Sequence, residues 1–363
     1  MSIDYRILEK IDDLEKVVDL EMLVWGLPDR DAVPSGLLHA MVNTGSLVVG
    51  ASENNKLIGM ALMFPTDRVK PKRMWSHMAA VDPAYQGQGI GFELKQFQRN
   101  WALENGYQEI GWTFDPLQRG NANFNLHVLG GATNTYHINF YGEMTDGINA
   151  GLPSDRVEVI WKLRNSRVKR LSGHKAIPPL LSTSNISDEH YLLRSIDDQP
   201  ISKALQPKQK IYLAEIPASI SALKQRSKEL AVAWRIALRN TFQTAFQAGY
   251  TAHDFIAVNG RYFYMLVEQQ SWYMYVLECS DQTLYTGITP DLSQRVLKHN
   301  SGRGAAYTKT RRPVRLVAAW QFPNRQAAMK AEIAFKRLQR QTKLDHIAHK
   351  QSFRDALFVD YDV

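Results

Sequence analysis

One cysteine, Cys279, stands among 363 residues, so the chain can close no internal disulfide, and a reducing cytoplasm is the expected compartment. In Leu277-Glu278-Cys279 it reads as a packing residue of a strand. No apolar run approaches the ~20 residues that a membrane-spanning helix needs, so no membrane is expected among the partners. The start, Met1-Ser2-Ile3-Asp4-Tyr5, carries no basic segment followed by an apolar block, so no secretory signal is expected. Acid is scarce in one place only. From Arg295 to Lys343 there are thirteen Lys and Arg but a single carboxylate, Glu332. One acid in a basic field is what a site needs if it seats a divalent cation and attacks a polyanion.

What is present divides in two. The length exceeds one ordinary core, so two or three domains are expected, and 44% hydrophobic with 22% charged residues reads as globular. Residues 271–363 hold 15 basic and 8 acidic side chains, a net +7, whereas the other 270 residues hold 29 and 28, a net +1. The C-terminal part therefore suits nucleic acid, and the larger part suits small molecules.

Tyr5-Arg6-Ile7 reads as a strand before an amphipathic helix with Ile11, Leu14, Val18, Met22 and Trp25 at helical spacing. Strands over 46–51 and 57–63 flank the turn Glu53-Asn54-Asn55-Lys56, and another strand spans 75–81. A glycine-rich turn, a helix over 92–105 and a strand over 109–114 follow. Strand, glycine turn and helix together bind phosphate, because the first helical N–H groups lack partners and glycine allows close approach. Gly87, Gly89 and Gly91 miss the dinucleotide spacing, and no Gly-Lys-Ser/Thr follows to make a triphosphate loop.

The run Val81-x-Pro83-x-x-Gln86-Gly87-x-Gly89-x-Gly91 resembles the coenzyme A pyrophosphate loop of GNAT-type acyltransferases. Asn121-Ala122-Asn123-Phe124-Asn125-Leu126-His127-Val128-Leu129-Gly130-Gly131 resembles that family's second helix. The resemblance implies acetyl-CoA or another acyl-CoA held by Val81, Gln86, Gly87, Gln88, Gly89, Ile90, Gly91 and Asn121, with an amine acceptor. The family usually carries a tyrosine acid in this helix. Its nearest equivalent here is His127, with Tyr136 and Tyr141 further along. His77, the titratable group on the strand before the loop, is the expected general base. Gly151-Leu152-Pro153-Ser154-Asp155-Arg156 and the strand over 157–163 resemble an uncharacterised subgroup of the same family. Asp155 and Arg156 read as a turn ion pair, with an acceptor-shaping role as the alternative.

The acyltransferase domain is expected to span 1–165. A basic, proline- and serine-rich linker is expected over 166–190, and an accessory α+β segment over 191–268. In that segment 210–217 reads as a strand, 219–248 as one helix capped by Gly249, and 254–267 as a hairpin around Asn259-Gly260. Trp234, Arg235 and Arg239 are tempting as a ligand clamp, although a tryptophan on an apolar stripe is usually core. The segment resembles the tail of the same subgroup, so 1–268 can act as one unit.

The last domain is expected over 271–350. Strands over 273–277 and 283–287 read as a hairpin, 292–300 as a helix with Arg295 and His299 on one face, and 327–341 as a helical run around Glu332. Tyr273-Met274-Tyr275, Tyr285-Thr286-Gly287, Arg295 and Glu332, in that order, resemble the GIY-YIG endonuclease family, above all its small stand-alone members. The resemblance implies a metal-dependent nuclease, with Glu332 holding Mg²⁺ or Mn²⁺ and Arg295 clamping the phosphate. Tyr275 and Tyr285 would face the attacking water, with help from His299. Tyr273, Lys309, Arg311 and Arg312 are expected on nucleic acid, DNA ahead of RNA, and Gly302 and Gly304 are expected to let a loop approach its backbone. The expected fold class is α/β (α+β): a GNAT-like mixed sheet with flanking helices, the accessory segment, and a small C-terminal GIY-YIG α/β sandwich. The expected function is a fusion of the two enzymes; the alternative is an acyltransferase whose basic tail binds nucleic acid without cutting it.

Overall fold

A computed structural model describes residues 3–26, 32–66, 72–142, 151–206, 209–269, 272–322 and 325–348. The chain divides into two compact units, Met1–Glu268 and Gln269–Val363. Among the described residues no helix is long and apolar enough to cross a membrane.

The first unit runs β1 (Asp4–Ile7), α1 (Ile11–Trp25), α2 (Ser35–Asn43), β2 (Leu47–Glu53), β3 (Lys56–Thr66), β4 (Arg73–Val81), α3 (Ile90–Glu104), β5 (Glu109–Phe114) and α4 (Arg119–Ala122). A wider π-helical stretch, Asn123–Val128, prolongs α4. Then come β6 (Ala132–His137), β7 (Arg156–Lys162), α5 (Ser166–Ser172), β8 (Tyr191–Ile196), β9 (Gln199–Ser202), β10 (Ile211–Ile216), α6 (Ile220–Arg226), α7 (Lys228–Gln247), β11 (Tyr250–Val258) and β12 (Arg261–Glu268). These strands form one mixed sheet ordered β1-β2-β3-β4-β5-β7-β6-β11-β12-β10-β8-β9.

Two features of this sheet place the candidate coenzyme site. Strands β4 and β5 are parallel and pair only from Arg73 to Trp75 against Glu109 to Gly111, and no later residue of β4 pairs with β5. On the other side of β4, Leu62 faces Met78 while Met63 faces Ser76, so His77 is the extra residue of a β-bulge. Bulges re-aim side chains and end pairing, and they are common beside active sites.

The accessory segment shares this sheet and its core. Ala252 of β11 pairs with Thr133 of β6. Trp112, Trp161, Trp234, Phe242 and Tyr264 belong to one apolar cluster. Arg235 and Arg239, considered above as a ligand clamp, bind carboxylates of the chain itself. Arg235 makes two 2.7 Å bonds to Asp115 after β5, and Arg239 reaches Asp155 at 2.8 Å and 3.0 Å. Asp155 is wholly buried and pairs with this distant arginine, while Arg156 lies over the Tyr141 ring. The expected helix over 219–248 is two helices. Ser227 leaves helical geometry, and its hydroxyl accepts the Leu230 N–H, capping α7. The expected linker begins with α5, which Asn165 caps and whose Val168 enters the core.

The second unit runs β13 (Trp272–Glu278), β14 (Leu284–Thr289), α8 (Leu292–Asn300), α9 (Ala306–Lys309), β15 (Arg315–Phe322), α10 (Arg325–Arg337) and α11 (Arg340–Ala348). The hairpin expected from the sequence is two-thirds of an antiparallel sheet ordered β14-β13-β15. Side chains alternate along β13. Met274 and Val276 pack with Phe335 of α10, while Tyr275 and Leu277 pack with Leu292 and Val296 of α8. The helical run around Glu332 breaks after Arg337 into α10 and α11.

One buried group in the first unit, a lysine set against a hydroxyl and an indole ring, stands out chemically. Lys95 of α3 donates from Nζ to Ser76 Oγ at 2.7 Å and lies 4.4 Å from the Trp112 ring. Burial lowers its pKa to about 7. The unfolded chain keeps this proton up to an ordinary lysine pKa of about 10.4, so between these limits it binds more protons than the fold, and stability rises with pH. Lys95→Met removes that slope, worth roughly 1.4 kcal/mol per unit of pKa difference. Denaturant unfolding of both chains from about pH 7 to pH 10 checks this, and parallel profiles would contradict it.

Candidate functional site

The phenol of Tyr275 joins three elements of the C-terminal unit. The residue is wholly buried and stands opposite Gly287. A Cβ at 287 would lie 2.5 Å from the phenol oxygen, so this glycine is the seat of the ring. Arg295, one turn before His299 on α8, donates from Nε to the phenol oxygen at 2.9 Å. His299 Nε2 lies 3.0 Å from the same oxygen. On the other edge of the imidazole, Nδ1 is 2.6 Å from Thr308 Oγ1, and Thr308 donates to Ala305 O at 3.0 Å.

One assignment of protons satisfies all of these bonds. The Thr308 hydroxyl spends its hydrogen on Ala305, so it accepts from Nδ1–H. Nε2 is then the lone-pair end, and the phenol donates to it. Charge follows the same pattern. Burial, and then the Arg295 guanidinium, hold His299 below the ordinary imidazole pKa, so it is neutral at neutral pH. Burial pushes Tyr275 up to about 12, with Arg295 pulling the other way and the Glu332 charge adding to the rise. Its bond to the phenol raises Arg295.

Tyr285 lies 5.1 Å from the His299 ring and 6.3 Å from Tyr275, so both tyrosines of the signature meet at one imidazole. Tyr307 stacks on Tyr285 at 6.0 Å, and Arg311 covers Tyr307 at 4.3 Å. Glu332 sits on α10, largely covered and paired with Lys336 at 2.8 Å, and its charge acts on Tyr275. No cluster of three or more metal-binding side chains occurs among the described residues.

The other residues expected on nucleic acid make contacts within the chain. Arg311 pairs with Asp281 and donates to Tyr307 O, while Arg312 donates to Lys309 O and Asn300 O. Both guanidinium groups brace the loop around the site. Gly304, expected to admit a nucleic-acid backbone, instead admits the imidazole: a Cβ there would lie 2.5 Å from His299 Nδ1. Tyr273 pairs with Thr289 in the sheet, and Lys309 ends α9. Thr308 and Tyr307 escaped the sequence reading, and Gly304 was read for a different role, because only the fold brings them to His299 and Tyr285.

In the first unit, His77 projects from the β4 bulge beside Phe64, exposed, and desolvation still lowers its pKa. Val81 O accepts from Gln86 Nε2 at 3.2 Å, which closes the turn ahead of Gly87. Gly87 and Gly89 have φ of +79° and +82°, and a Cβ at either would meet nothing within 4 Å. Open space and left-handed backbone together suit an anion lying on the start of α3. Gly91 is ordinary helix, and a methyl group there would touch Phe124 at 3.8 Å. Ile90 is buried, so its backbone N–H is what it can offer a ligand. Asn121 is exposed on α4, whereas Asn125 is buried and accepts from Trp112 Nε1 at 3.1 Å.

A groove of about 530 Å³ opens beside the loop, lined by Gln88, Gly89, Phe92, Glu93, His127 and His174 among others. His127 Nδ1 is 2.9 Å from Asp254 Oδ1 of β11, which raises the imidazole pKa above its ordinary value. Tyr136 is tied up with Asp155 at 2.7 Å, and burial raises its pKa. Asp254 is a further residue that sequence reasoning did not single out.

Comparison with known proteins matches both halves. The GIY-YIG catalytic domain family matches residues 271–345, and the acetyltransferase (GNAT) family matches 14–130. A UPF0213 protein of Streptococcus agalactiae is 55% identical over 75 residues, covering 21% of this chain and 85% of the relative. UPF0213 protein YazA of Bacillus subtilis is 43% identical over 93 residues, covering 26% of this chain and 94% of the relative. The ribosomal-protein-S18-alanine N-acetyltransferase of Escherichia coli superposes with a TM-score of 0.37 at 17% identity, covering 46% of this chain and 96% of that one. A phenol, guanidinium and imidazole bonded together in the matched C-terminal unit, and a glycine loop at a helix start in the matched N-terminal one, agree with those assignments: the chain belongs to the GIY-YIG family through residues 271–345 and carries a GNAT-family acetyltransferase domain over 14–130.

Proposed function

We propose that the chain is a bifunctional enzyme, a divalent-metal-dependent endonuclease acting on DNA or RNA joined to an acetyl-CoA-dependent N-acyltransferase. The observation that carries the nuclease half is the bonded set Tyr275, Arg295 and His299, with Glu332 the one carboxylate between Arg295 and Lys343. The donor chemistry of the site fits Mg²⁺ or Mn²⁺: Glu332 offers one hard carboxylate, and such ions keep most of their waters when a protein supplies one or two oxygens. A cation held there would stabilise charge on the departing oxygen.

The chain's own groups do the rest. Arg295 keeps one guanidinium edge on the phenol and offers the other to a phosphoryl oxygen. His299, neutral with its lone pair toward Tyr275, takes the phenol proton as the phenol takes one from water. The transfer from phenol to imidazole follows a bond already in place. Tyr285 closes the opposite side of the imidazole. The basic charge of residues 295–343 draws in the polyanion, with Lys309 and the loop braced by Arg311 and Arg312 nearest the site. The buried Cys279 thiol is consistent with the cytoplasm.

Incubation of the full chain with branched and single-stranded DNA, with Mg²⁺ or Mn²⁺, tests the nuclease. Cutting is expected and should fall at least about 100-fold in Glu332→Gln and in Arg295→Ala. Cutting retained by both variants removes the site assignment, and binding without cutting by the wild-type chain selects the alternative of a non-cleaving basic domain.

For the other half, the open loop of Gly87 and Gly89 fits the coenzyme pyrophosphate on the start of α3, with Val81, Gln86, Gln88, Ile90 and Gly91 around it. Asn121 is kept as a coenzyme contact on the family resemblance alone. The bulged His77 is placed to take the proton of an incoming amine at the β4–β5 split. Acetyl-CoA at about 100 times its Kd should stabilise the chain by ~2.7 kcal/mol, seen as a rise in Tm. Gly89→Glu should abolish that rise, and no rise in the wild-type chain would contradict coenzyme binding.

A further inference from the structure

The coenzyme groove contains a histidine whose surroundings come from three separate parts of the chain. His127 lies on the π-helical stretch after α4, half-exposed, and lines the groove with Gln88, Gly89 and Phe92. Its Nδ1 edge faces Asp254 at 2.9 Å. Asp254 is itself nearly covered and is fixed twice more, by Arg167 of α5 at 2.9 Å and by the Phe255 N–H at 2.8 Å. Arg167 also donates to Leu126 O at 3.1 Å, which ties the guanidinium to the turn that carries His127. A carboxylate locked in this way selects the Nδ1–H form and leaves Nε2 as the other edge of a ring that lines the groove.

We propose that His127 is the group that protonates the departing coenzyme A thiolate, with Asp254 and Arg167 as its positioning residues. Segment 191–268 then supplies part of the acyl-transfer site. The proposal rests on the acyltransferase reading above and deepens it. In the step, the acceptor nitrogen bonds to the thioester carbonyl carbon and the C–S bond breaks. The sulfur takes the Nε2 proton of His127, and the nitrogen gives up its own proton to a base, which restores the balance. Asp254 favours the imidazolium before transfer and holds the ring still during it. Around His127 the other charged and titratable groups are His253 beside Asp254 on β11, Arg167 on α5, Glu93 on α3, and His174 and Lys175 just after α5. Glu93 works in the same direction as Asp254, and the cations work against it.

Free coenzyme A tests this without knowing the acceptor. Its affinity for the full chain is measured calorimetrically, and the bound thiol is then titrated by thiolate absorbance. On the wild-type chain the thiol should titrate at least about one unit below its ordinary value, since an opposite charge within hydrogen-bond reach shifts a pKa by 1–3 units. His127→Gln should return the thiol to its ordinary range, and Asp254→Asn should move it most of the way, both with affinity for coenzyme A retained. Retained affinity also reports that each variant is folded. An unchanged thiol titration in His127→Gln overturns the proposal. So does a fall in affinity with the thiol unmoved, which would make His127 a phosphate contact. Failure of the wild-type chain to bind coenzyme A ends the acyltransferase reading together with this one, and the affinity measurement separates that case from the others.

Discussion

The C-terminal site depends on one oxygen that accepts a bond and gives one. The Tyr275 phenol receives Arg295 Nε–H and donates to His299 Nε2, and it can do both only because Gly287 leaves room for the ring and Gly304 leaves room for the imidazole. From Thr308 inward each group has its hydrogen assigned, so the set is a directed chain and not merely a cluster. A buried polar network of this kind is stable only when fully satisfied, and this one ends on a backbone carbonyl. The raised phenol and the lowered imidazole have burial as their common leading cause, and both are therefore neutral before any substrate arrives.

The N-terminal unit is organised by an interruption. Strand β4 pairs with β5 for three residues and then leaves it, just where Ser76 and the bulged His77 stand. The glycine loop follows at the far end of the same strand. Buried ion pairs carry the same unit into segment 191–268: Arg235 with Asp115, Arg239 with Asp155, and Arg167 with Asp254. Such pairs contribute little net stability relative to apolar packing, but they specify one arrangement of the elements they join.

What the sequence made legible was local. The helix over 292–300 has the expected bounds because Asp291 caps it from the adjacent turn, accepting the Gln294 N–H. The strand over 109–114 and the Asn259-Gly260 hairpin are equally local, the latter with both turn residues at positive φ. The α/β class, and the order of Tyr275, Tyr285, Arg295 and Glu332, were readable for the same reason. What stayed hidden was set by distance in sequence. Asp254 lies 127 residues from His127, and Asp155 lies 84 from Arg239. The apolar stripe through Leu223 and Leu230 continues across Ser227, so the break between α6 and α7 left no trace in periodicity. Strand β15, which completes the small sheet, pairs with β13 across the whole of α8 and α9.

The proposal most directly open to test is that Glu332 seats a metal beside the Tyr275–Arg295–His299 set. Paramagnetic broadening by Mn²⁺, read on side-chain resonances of selectively labelled tyrosine and histidine, tests that juxtaposition directly. The account predicts that Mn²⁺ broadens Tyr275, Tyr285 and His299 in the wild-type chain and leaves them sharp in Glu332→Gln. Sharp resonances for all three in the wild-type chain, or equal broadening in the variant, would contradict it.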